Sequence, residues 1–210
     1  MLSFIKKKKT FEDFPKLSRQ EIIRKSRILF IDDDDDITLI DFLRSQGFSI
    51  DHDKNGNDLN KYDSGLYDLI ILDYYGVGTN LGDKHGLELM RYLSRNRNPA
   101  RIIAYTSRSL SASEADFFKL SHAVLIKDLG LADSMEVIES ELNLCFDKNL
   151  IFSKIIKELD ITDSQKINSI KENLYNAINS SDKTSIENHI FKTLRFTANK
   201  AVDIYLGKIF

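Results

Sequence analysis

The stretch RILFIDDDDD, residues 27–36, decides the fold, because a short apolar run passes directly into five aspartates. Related transitions from apolar to polar residues occur in DLIILD (68–73), RIIAYTS (101–107) and VLIK (124–127). Continuous apolar runs of this length are typical of strands that are covered on both faces of a parallel sheet. The sequence therefore predicts a parallel sheet whose strands end in polar residues.

Strands and helices are predicted to alternate through the first two thirds of the chain. The predicted strands are Arg27 to Ile31, Phe48 to Asp51, Asp68 to Leu72, Arg101 to Tyr105 and Val124 to Ile126. The predicted helices are Asp35 to Ser45, Asp58 to Tyr62, Gly86 to Asn96, Ser113 to Leu120 and Leu131 to Leu144. With right-handed crossovers, this alternation gives a doubly wound α/β fold around a five-stranded parallel sheet. Ligands of such sheets bind at the carboxyl ends of the strands.

Three regions are predicted along the chain. Residues 1–25 form an N-terminal tail and a short helix, for which Ser18 and Glu21 provide a capping box. Residues 26–145 form the α/β domain. Residues 146–210 contain no glycine or proline before Gly207, which predicts a small all-helical region for output or oligomerisation.

Apolar residues in this C-terminal region recur at helical spacing. The two stripes are Ile167, Ile170, Leu174 and Ile178, and Ile186, Ile190, Leu194, Ala198, Ala201 and Tyr205. A helix is also predicted from Asp147 to Leu159, and Thr162 to Gln165 is a candidate capping box for the first stripe. The polar segment 179–182 separates the two striped helices.

The composition is that of a folded cytoplasmic protein. The 210 residues are 42% hydrophobic and 30% charged, with a net charge of −2, and no apolar run is long enough to span a bilayer. Cys145 is the single cysteine, which excludes an intramolecular disulfide. The lysine block 6–9 indicates a solvated tail without a secretory signal. Neither half is basic enough to indicate nucleic-acid binding.

The polar residues at the strand ends are the candidate site. They are Asp32, Asp33, Asp73, Thr106, Ser107 and Lys127. Because the carboxyl ends of parallel strands share one edge of a sheet, we expect these side chains to converge there. Three neighbouring carboxylates repel one another unless a cation neutralises them.

We therefore expect a magnesium site. Oxygen ligands suit Mg²⁺, which takes one or two carboxylates together with phosphate oxygens and water. The predicted ligands are Asp32, Asp33, Asp73 and the backbone carbonyl of Tyr75. Such a site supports phosphoryl transfer, which requires mainly positioning and charge stabilisation.

Three side chains are predicted to take part in that chemistry. Asp73 is the nucleophile and phospho-acceptor. Lys127 pairs with one phosphoryl oxygen as a point charge, and the Thr106 hydroxyl donates to another.

The ordered set of motifs resembles the response-regulator receiver family of two-component signalling. The resemblance covers roughly residues 26–145 and rests on RILFIDDD (27–34), DLIILD (68–73), GLEL (86–89), IIAYTS (102–107) and VLIK (124–127). It implies a flavodoxin-like receiver fold and magnesium-dependent phosphorylation by a histidine kinase or phosphotransfer protein. It also implies a switch on the surface formed by the family's fourth helix, fifth strand and fifth helix.

This sequence departs from the family pattern at several positions. Val77 and Asp128 stand where the family has prolines, and Val124 replaces an aromatic residue that moves with the threonine. The loop to Gly86 is longer than usual and includes His85. The phosphorylation chemistry is retained while the switch is altered, which indicates an atypical member.

The preferred function is a phospho-accepting signalling protein whose helical tail contacts a downstream protein partner, with a homodimer also considered. A phosphorylation-independent receiver-like interaction module is the first alternative. A DNA-binding response regulator is the second, although the apolar neighbours of Lys192, Arg195 and Lys200 disfavour it. Enzymatic activity is at most self-phosphorylation from a donor and slow autodephosphorylation. Tyr75 stands where a haloacid-type hydrolase needs its second aspartate.

Several nearby residues also have simpler interpretations. Residues 34–36 are interpreted as a solvated acidic run at a helix N-terminus. His85 is interpreted as an exposed loop histidine, and Tyr74 and Tyr75 as packing residues rather than a gate.

Overall fold

A computed structural model of the protein describes residues 16–95, 99–107, 115–186 and 200–210, without the side chains of residues 200 and 201. The chain divides into two compact units. The first unit is Ser18–Phe146, and the second contains the described residues from Asp147 onward.

The first unit is built on a five-stranded sheet with the order β2-β1-β3-β4-β5. The strands are β1 (Arg27–Ile31), β2 (Ser49–Asp53), β3 (Leu69–Asp73), β4 (Arg101–Thr106) and β5 (Ala123–Ile126). Every neighbouring pair is parallel. The helices are α1 (Arg19–Lys25), α2 (Thr38–Ser45), α3 (Leu59–Tyr62), α4 (Gly86–Arg95), α5 (Ala115–Leu120) and α6 (Leu131–Cys145). The predicted doubly wound α/β class is confirmed.

The central strands form the core because both of their faces are covered. All five residues of β3 are buried, and β1 is buried from Ile28 to Ile31. β2 is an edge strand, and its last three residues are only half-buried. This difference follows from the sequence, since β2 contains SIDHD whereas β3 contains LIILD.

Strand register places the ends of the strands beside one another. Ile31, the last residue of β1, pairs with Leu72 of β3, so Asp32 follows directly beside Asp73. Asp73 in turn pairs with Tyr105 of β4. This register brings residues that are distant in sequence to one edge of the sheet.

The start of α2 differs from the prediction by three residues. α2 begins at Thr38 rather than Asp35, because the preceding aspartates form a turn in which the Asp34 amide donates to Asp32 Oδ1 at 3.0 Å. The predicted ends at Asn96 and Ser113 lie outside the described residues. The predicted capping box of α1 is present, with Ser18 and Glu21 each accepting from the other's backbone amide.

The second unit contains helices α7 (Lys148–Glu158), α8 (Ser164–Ser180) and α9 (Lys200–Ile209). Its core residues are Ile151, Phe152, Ile155, Leu159, Ile161, Ile170, Leu174, Ala177, Ile186, Val202, Tyr205, Leu206 and Ile209. The helical character predicted for this region is therefore confirmed where it is described.

Two details of the second unit refine the prediction. The N-cap of α8 is Asp163 rather than Thr162, since the Asp163 carboxylate accepts from the amides of Gln165 and Lys166. α8 ends at Ser180, and Ser181 adopts a left-handed conformation with φ of 54°. The predicted stripe positions 190, 194 and 198 lie outside the described residues.

No helix in the described part of the chain combines the length and apolar character needed to cross a membrane.

Candidate functional site

Three aspartates meet at the carboxyl edge of the sheet. Asp32 follows β1, Asp33 is next in the chain, and Asp73 is the last residue of β3. One carboxylate oxygen from each lies within 4.8 Å of the others. Asp32 and Asp73 are buried, whereas Asp33 is exposed. The site therefore combines two rigidly held carboxylates with one that solvent reaches.

Lys127 is the cation at this site. It follows β5, and its Nζ lies 2.8 Å from Asp32 Oδ2, 3.4 Å from Asp34 Oδ2 and 3.5 Å from Asp73 Oδ2. Its backbone amide donates to the carbonyl of Thr106 at 2.7 Å, which ties the end of β5 to the end of β4. The ammonium partly neutralises the carboxylates.

Burial and charge shift the pKa values of these groups. Burial is the main cause that raises the pKa of Asp73 to about 6, with the Asp32 charge acting in the same direction and Lys127 opposing it. Burial alone would lower the pKa of Lys127. Its hydrogen bond to Asp32 and the charges of Asp73, Asp32 and Asp34 outweigh burial and raise it. The ammonium is therefore protonated at neutral pH.

The loop after β3 packs against the acidic cluster. Gly76 has its Cα so close to the Asp33 carboxylate that a Cβ would overlap it. The loop therefore places Gly76, the residue after Tyr75, beside Asp33. At the start of α4, Gly86 donates its amide to the Tyr74 carbonyl at 2.8 Å. Its Cα packs against the Asp73 carbonyl without room for a side chain.

Other residues of this loop contact parts of the protein outside the acidic cluster. The Gly78 amide donates to the Asn55 carbonyl at 2.8 Å, and Val77 is fully buried in the core. His85 is half-buried rather than exposed, with a φ of 51° and its ring 5.9 Å from that of Tyr75. The interpretation of His85 as an exposed residue is therefore wrong, because the loop folds back onto its own aromatic side chains.

Thr106 is the last residue of β4 and is buried. Its register partner is Ile126, immediately before Lys127. The structure thus brings Thr106 to the edge of the sheet that holds the aspartates and the lysine.

The donor set fits a hard divalent cation. It consists of carboxylate oxygens from Asp32, Asp33 and Asp73, with neither sulfur nor imidazole among the clustered groups. Two buried carboxylates with one exposed carboxylate suit Mg²⁺, which keeps part of its water shell. The Tyr75 carbonyl stays a predicted ligand.

Three contacts at the site were not predicted from the sequence. Asp34 pairs with Lys127, although it was interpreted as part of a solvated run. The His52 Nε2 lies 2.8 Å from the carbonyl oxygen of Asp32. The Lys127 Nζ lies 5.1 Å from the centroid of the Tyr105 ring. In the sequence, the contact between Lys127 and Tyr105 is indicated only by the position of Tyr105 directly before Thr106.

Two solved structures with a similar fold are those of receiver domains. A receiver-domain protein from Methanospirillum hungatei is 22% identical with a TM-score of 0.50, and the match covers 57% of this chain and 95% of that chain. The receiver domain of a putative Luxo repressor protein from Vibrio parahaemolyticus is 18% identical with a TM-score of 0.51, covering 60% and 96%. No protein-family model matches the sequence, and no curated protein gives a significant match.

These similarities define the class of the first unit. Residues Ser18–Phe146 have the five-stranded parallel fold of a response-regulator receiver domain. The resemblance predicted from the sequence is therefore confirmed at the level of the fold.

Proposed function

We propose that this chain is a phospho-accepting signalling protein of the two-component or phosphorelay type, with Asp73 as the phospho-acceptor. The observation that carries the proposal is the convergence of Asp32, Asp33 and Asp73 within 4.8 Å, with the Lys127 ammonium beside two of them. A histidine kinase or phosphotransfer protein is the proposed donor. The proposed enzymatic activity is at most self-phosphorylation from a donor and slow autodephosphorylation.

The roles of the side chains follow from their positions. An Oδ of the ionised Asp73 carboxylate attacks phosphorus while the bond from phosphorus to the donor's histidine nitrogen breaks and the imidazole leaves; with acetyl phosphate, acetate leaves instead. The pKa of Asp73, about 6, leaves the carboxylate mostly ionised at neutral pH. Lys127 moves a short distance to pair with a phosphoryl oxygen, and Thr106 donates its hydroxyl to another. Asp32, Asp33 and Asp73 would hold a Mg²⁺ ion, which would supply neutralisation of the phosphate charge.

The helical region is the proposed output. Residues 146–210 follow the proposed receiver region 26–145, and the described part has a hydrophobic core of its own. An independently packed helical unit is suited to contacts with a downstream protein or a second copy of the chain. We propose a cytoplasmic location for the protein and its phosphodonor.

A phosphorylation-independent interaction module is the second candidate. Lys127 already pairs with Asp32 and Asp73, so the acidic cluster is partly compensated without a bound cation. Val124, which stands where the family has an aromatic switch residue, is 40% exposed. These two features favour a domain that keeps one conformation.

Phosphorylation with a small donor separates the two candidates. The protein is incubated with acetyl phosphate and Mg²⁺, and its intact mass is measured beside Asp73→Asn and Asp36→Asn. Asp36 is exposed in the same acidic run but outside the three-aspartate cluster, so it is the matched control. We expect one phosphoryl group on the parent and on Asp36→Asn, and none on Asp73→Asn or in the presence of a chelator. An unmodified parent protein would contradict the proposal and support the interaction module.

A further inference from the structure

The aromatic ring of Tyr105 lies against the ammonium of Lys127. The Nζ is 5.1 Å from the ring centroid, within the distance at which a cation is attracted to the face of an aromatic ring. Tyr105 is only 5% exposed, and the Lys127 side chain is 20% exposed. The attraction is strengthened by this partial exclusion of water.

The surrounding sheet fixes the ring. Tyr105 belongs to β4 and pairs with Asp73 on one side and with Leu125 on the other. Its ring packs edge to face on Phe30 of β1, with the centroids 5.1 Å apart. Tyr105 therefore has little freedom to move, and it presents a fixed surface to Lys127.

Without the Tyr105 ring, the Lys127 side chain would have considerable conformational freedom. A lysine side chain has four rotatable bonds, and one of its three carboxylate partners, Asp34, is 67% exposed. Pairing with Asp34 alone would draw the ammonium toward solvent and away from Asp73. The contact with Tyr105 favours the conformers in which the ammonium stays beside Asp32 and Asp73.

We propose that Tyr105 is a positioning residue that holds the Lys127 ammonium beside Asp32 and Asp73, ready for the phosphoryl group that Asp73 accepts. The expected effect on the rate of Asp73 phosphorylation rests on the proposed function. Tyr105 acts through Lys127 and belongs neither to the carboxylate set nor to the reacting atoms. Its loss therefore slows phosphorylation, and it does not lower cation affinity, because an ammonium farther from Asp32 and Asp73 compensates these carboxylates less.

The test compares Tyr105→Leu with Tyr105→Phe, which keeps the ring and loses only the hydroxyl. The full chain is used, and Tyr105→Met replaces Tyr105→Leu if the latter does not fold by circular dichroism. Three quantities are measured: the rate of labelling by acetyl phosphate, the affinity for Mg²⁺ by calorimetry, and the side-chain NMR shifts of Lys127.

We expect Tyr105→Leu to slow labelling by about threefold to tenfold, which corresponds to the loss of one cation–π contact. Tyr105→Phe should label at nearly the parent rate and bind Mg²⁺ as the parent does. Tyr105→Leu should bind Mg²⁺ at least as tightly as the parent, because its Lys127 ammonium compensates the carboxylates less. The Lys127 Hε resonances should be displaced by the ring current in the parent and in Tyr105→Phe, but not in Tyr105→Leu.

Two outcomes overturn the inference. One is equal labelling rates in all three proteins, and the other is Lys127 shifts that do not change when the ring is removed. A parent protein that takes no phosphoryl group would overturn the proposed function instead. The Lys127 shifts would then still support or contradict the contact by themselves.

Discussion

The Cα of Gly76 packs directly against the side-chain carboxylate of Asp33, leaving no space for even a methyl group. Gly76 also has a φ of 71°, a conformation that glycine adopts without strain and other residues rarely adopt. The loop after β3 thus fixes the position of Asp33, the exposed member of the three-aspartate cluster.

Replacing this glycine should weaken cation binding. In Gly76→Ala, the new methyl group displaces Asp33, so we expect Mg²⁺ affinity to fall by roughly tenfold or more. The strained φ should also lower the free energy of unfolding by about 1–2 kcal/mol. Calorimetric titration and urea denaturation measure the two effects.

Gly47→Ala is the matched control for that prediction. Gly47 has a φ of 95°, but its nearest neighbour to a built Cβ is Ile23 Cγ2 at an ordinary 3.6 Å. This variant should lose stability and retain Mg²⁺ affinity. Equal affinity losses in both variants would show that backbone strain, rather than displacement of Asp33, weakens binding.

Asp73 should destabilise the cation-free protein at neutral pH. Its pKa is raised from 3.8 to about 6 in the folded state, so the folded protein binds the proton more tightly than the unfolded chain. Stability is therefore lost as pH rises from about 4 to about 6, and it stays lower above that range. The full shift corresponds to at most about 3 kcal/mol.

Asp73→Asn tests this prediction in the presence of a chelator. Its free energy of unfolding, relative to the parent, should rise between about pH 4 and 6 and reach a plateau of about 1–3 kcal/mol. Urea denaturation at a series of pH values measures the difference. A variant that is less stable than the parent at pH 7.5 would show that Lys127 compensates the buried Asp73 fully.

Removal of the Lys127 charge should make the protein depend on added cation. In Lys127→Met, the buried carboxylate of Asp32 and that of Asp73 lose their partner, and we expect a loss of about 2 kcal/mol without Mg²⁺. Because the cation then meets uncompensated charge, Mg²⁺ should raise the melting temperature more in the variant than in the parent.

Lys54→Met serves as the control for Lys127→Met. Lys54 pairs with Asp35, but the two side chains are 58% and 74% exposed. Such surface pairs contribute little to stability, so its melting temperature should match that of the parent with and without Mg²⁺. A similar Mg²⁺ response in both variants would contradict the role given to Lys127.

The Thr106 hydroxyl should affect phosphorylation without affecting cation binding. Thr106→Ala removes a donor at the strand end, and we expect labelling by acetyl phosphate to slow by about tenfold or more. Thr106→Ser keeps the hydroxyl and should retain most of the rate. Calorimetry should give the same Mg²⁺ affinity for both, whereas a parallel loss of affinity would indicate that Thr106 supports the carboxylates instead.

The C-terminal helical unit should depend on its own core. Leu206 in α9 is fully buried, so Leu206→Ala should lower protection of the amides in this unit by the equivalent of about 2–4 kcal/mol. Leu150 in α7 is 40% exposed, and Leu150→Ala should have little effect. Hydrogen exchange measures both, and similar losses of protection would contradict the assigned core.

The sheet and the ends of its strands were predictable from the sequence because the apolar runs are short and end in polar residues. Asp32, Asp73 and Lys127 each follow such a run, and parallel topology alone brings strand ends together. The start of α2 was not predictable, since an acidic run favours a helix N-terminus and also the turn that the structure contains.

Side-chain contacts across the sheet were harder to predict. The sequence places Tyr105 beside Thr106, but it does not show that the ring faces Lys127, which belongs to another strand. Thr162 and Asp163 are both good N-cap residues, and the direction in which the chain enters α8 selects Asp163. Such choices depend on tertiary geometry rather than on local pattern.

The pairing of Lys127 with Asp32 and Asp73 also affects how the site would bind an ion, because the ammonium acts as an internal counter-ion. An arriving divalent ion meets carboxylates that are already partly satisfied, so it gains less than it would from three bare carboxylates. Under the proposed function, the ion would therefore bind reversibly, and its occupancy would follow the free ion concentration. A domain with such a lysine would stay folded when the ion dissociates, and it could bind the ion again.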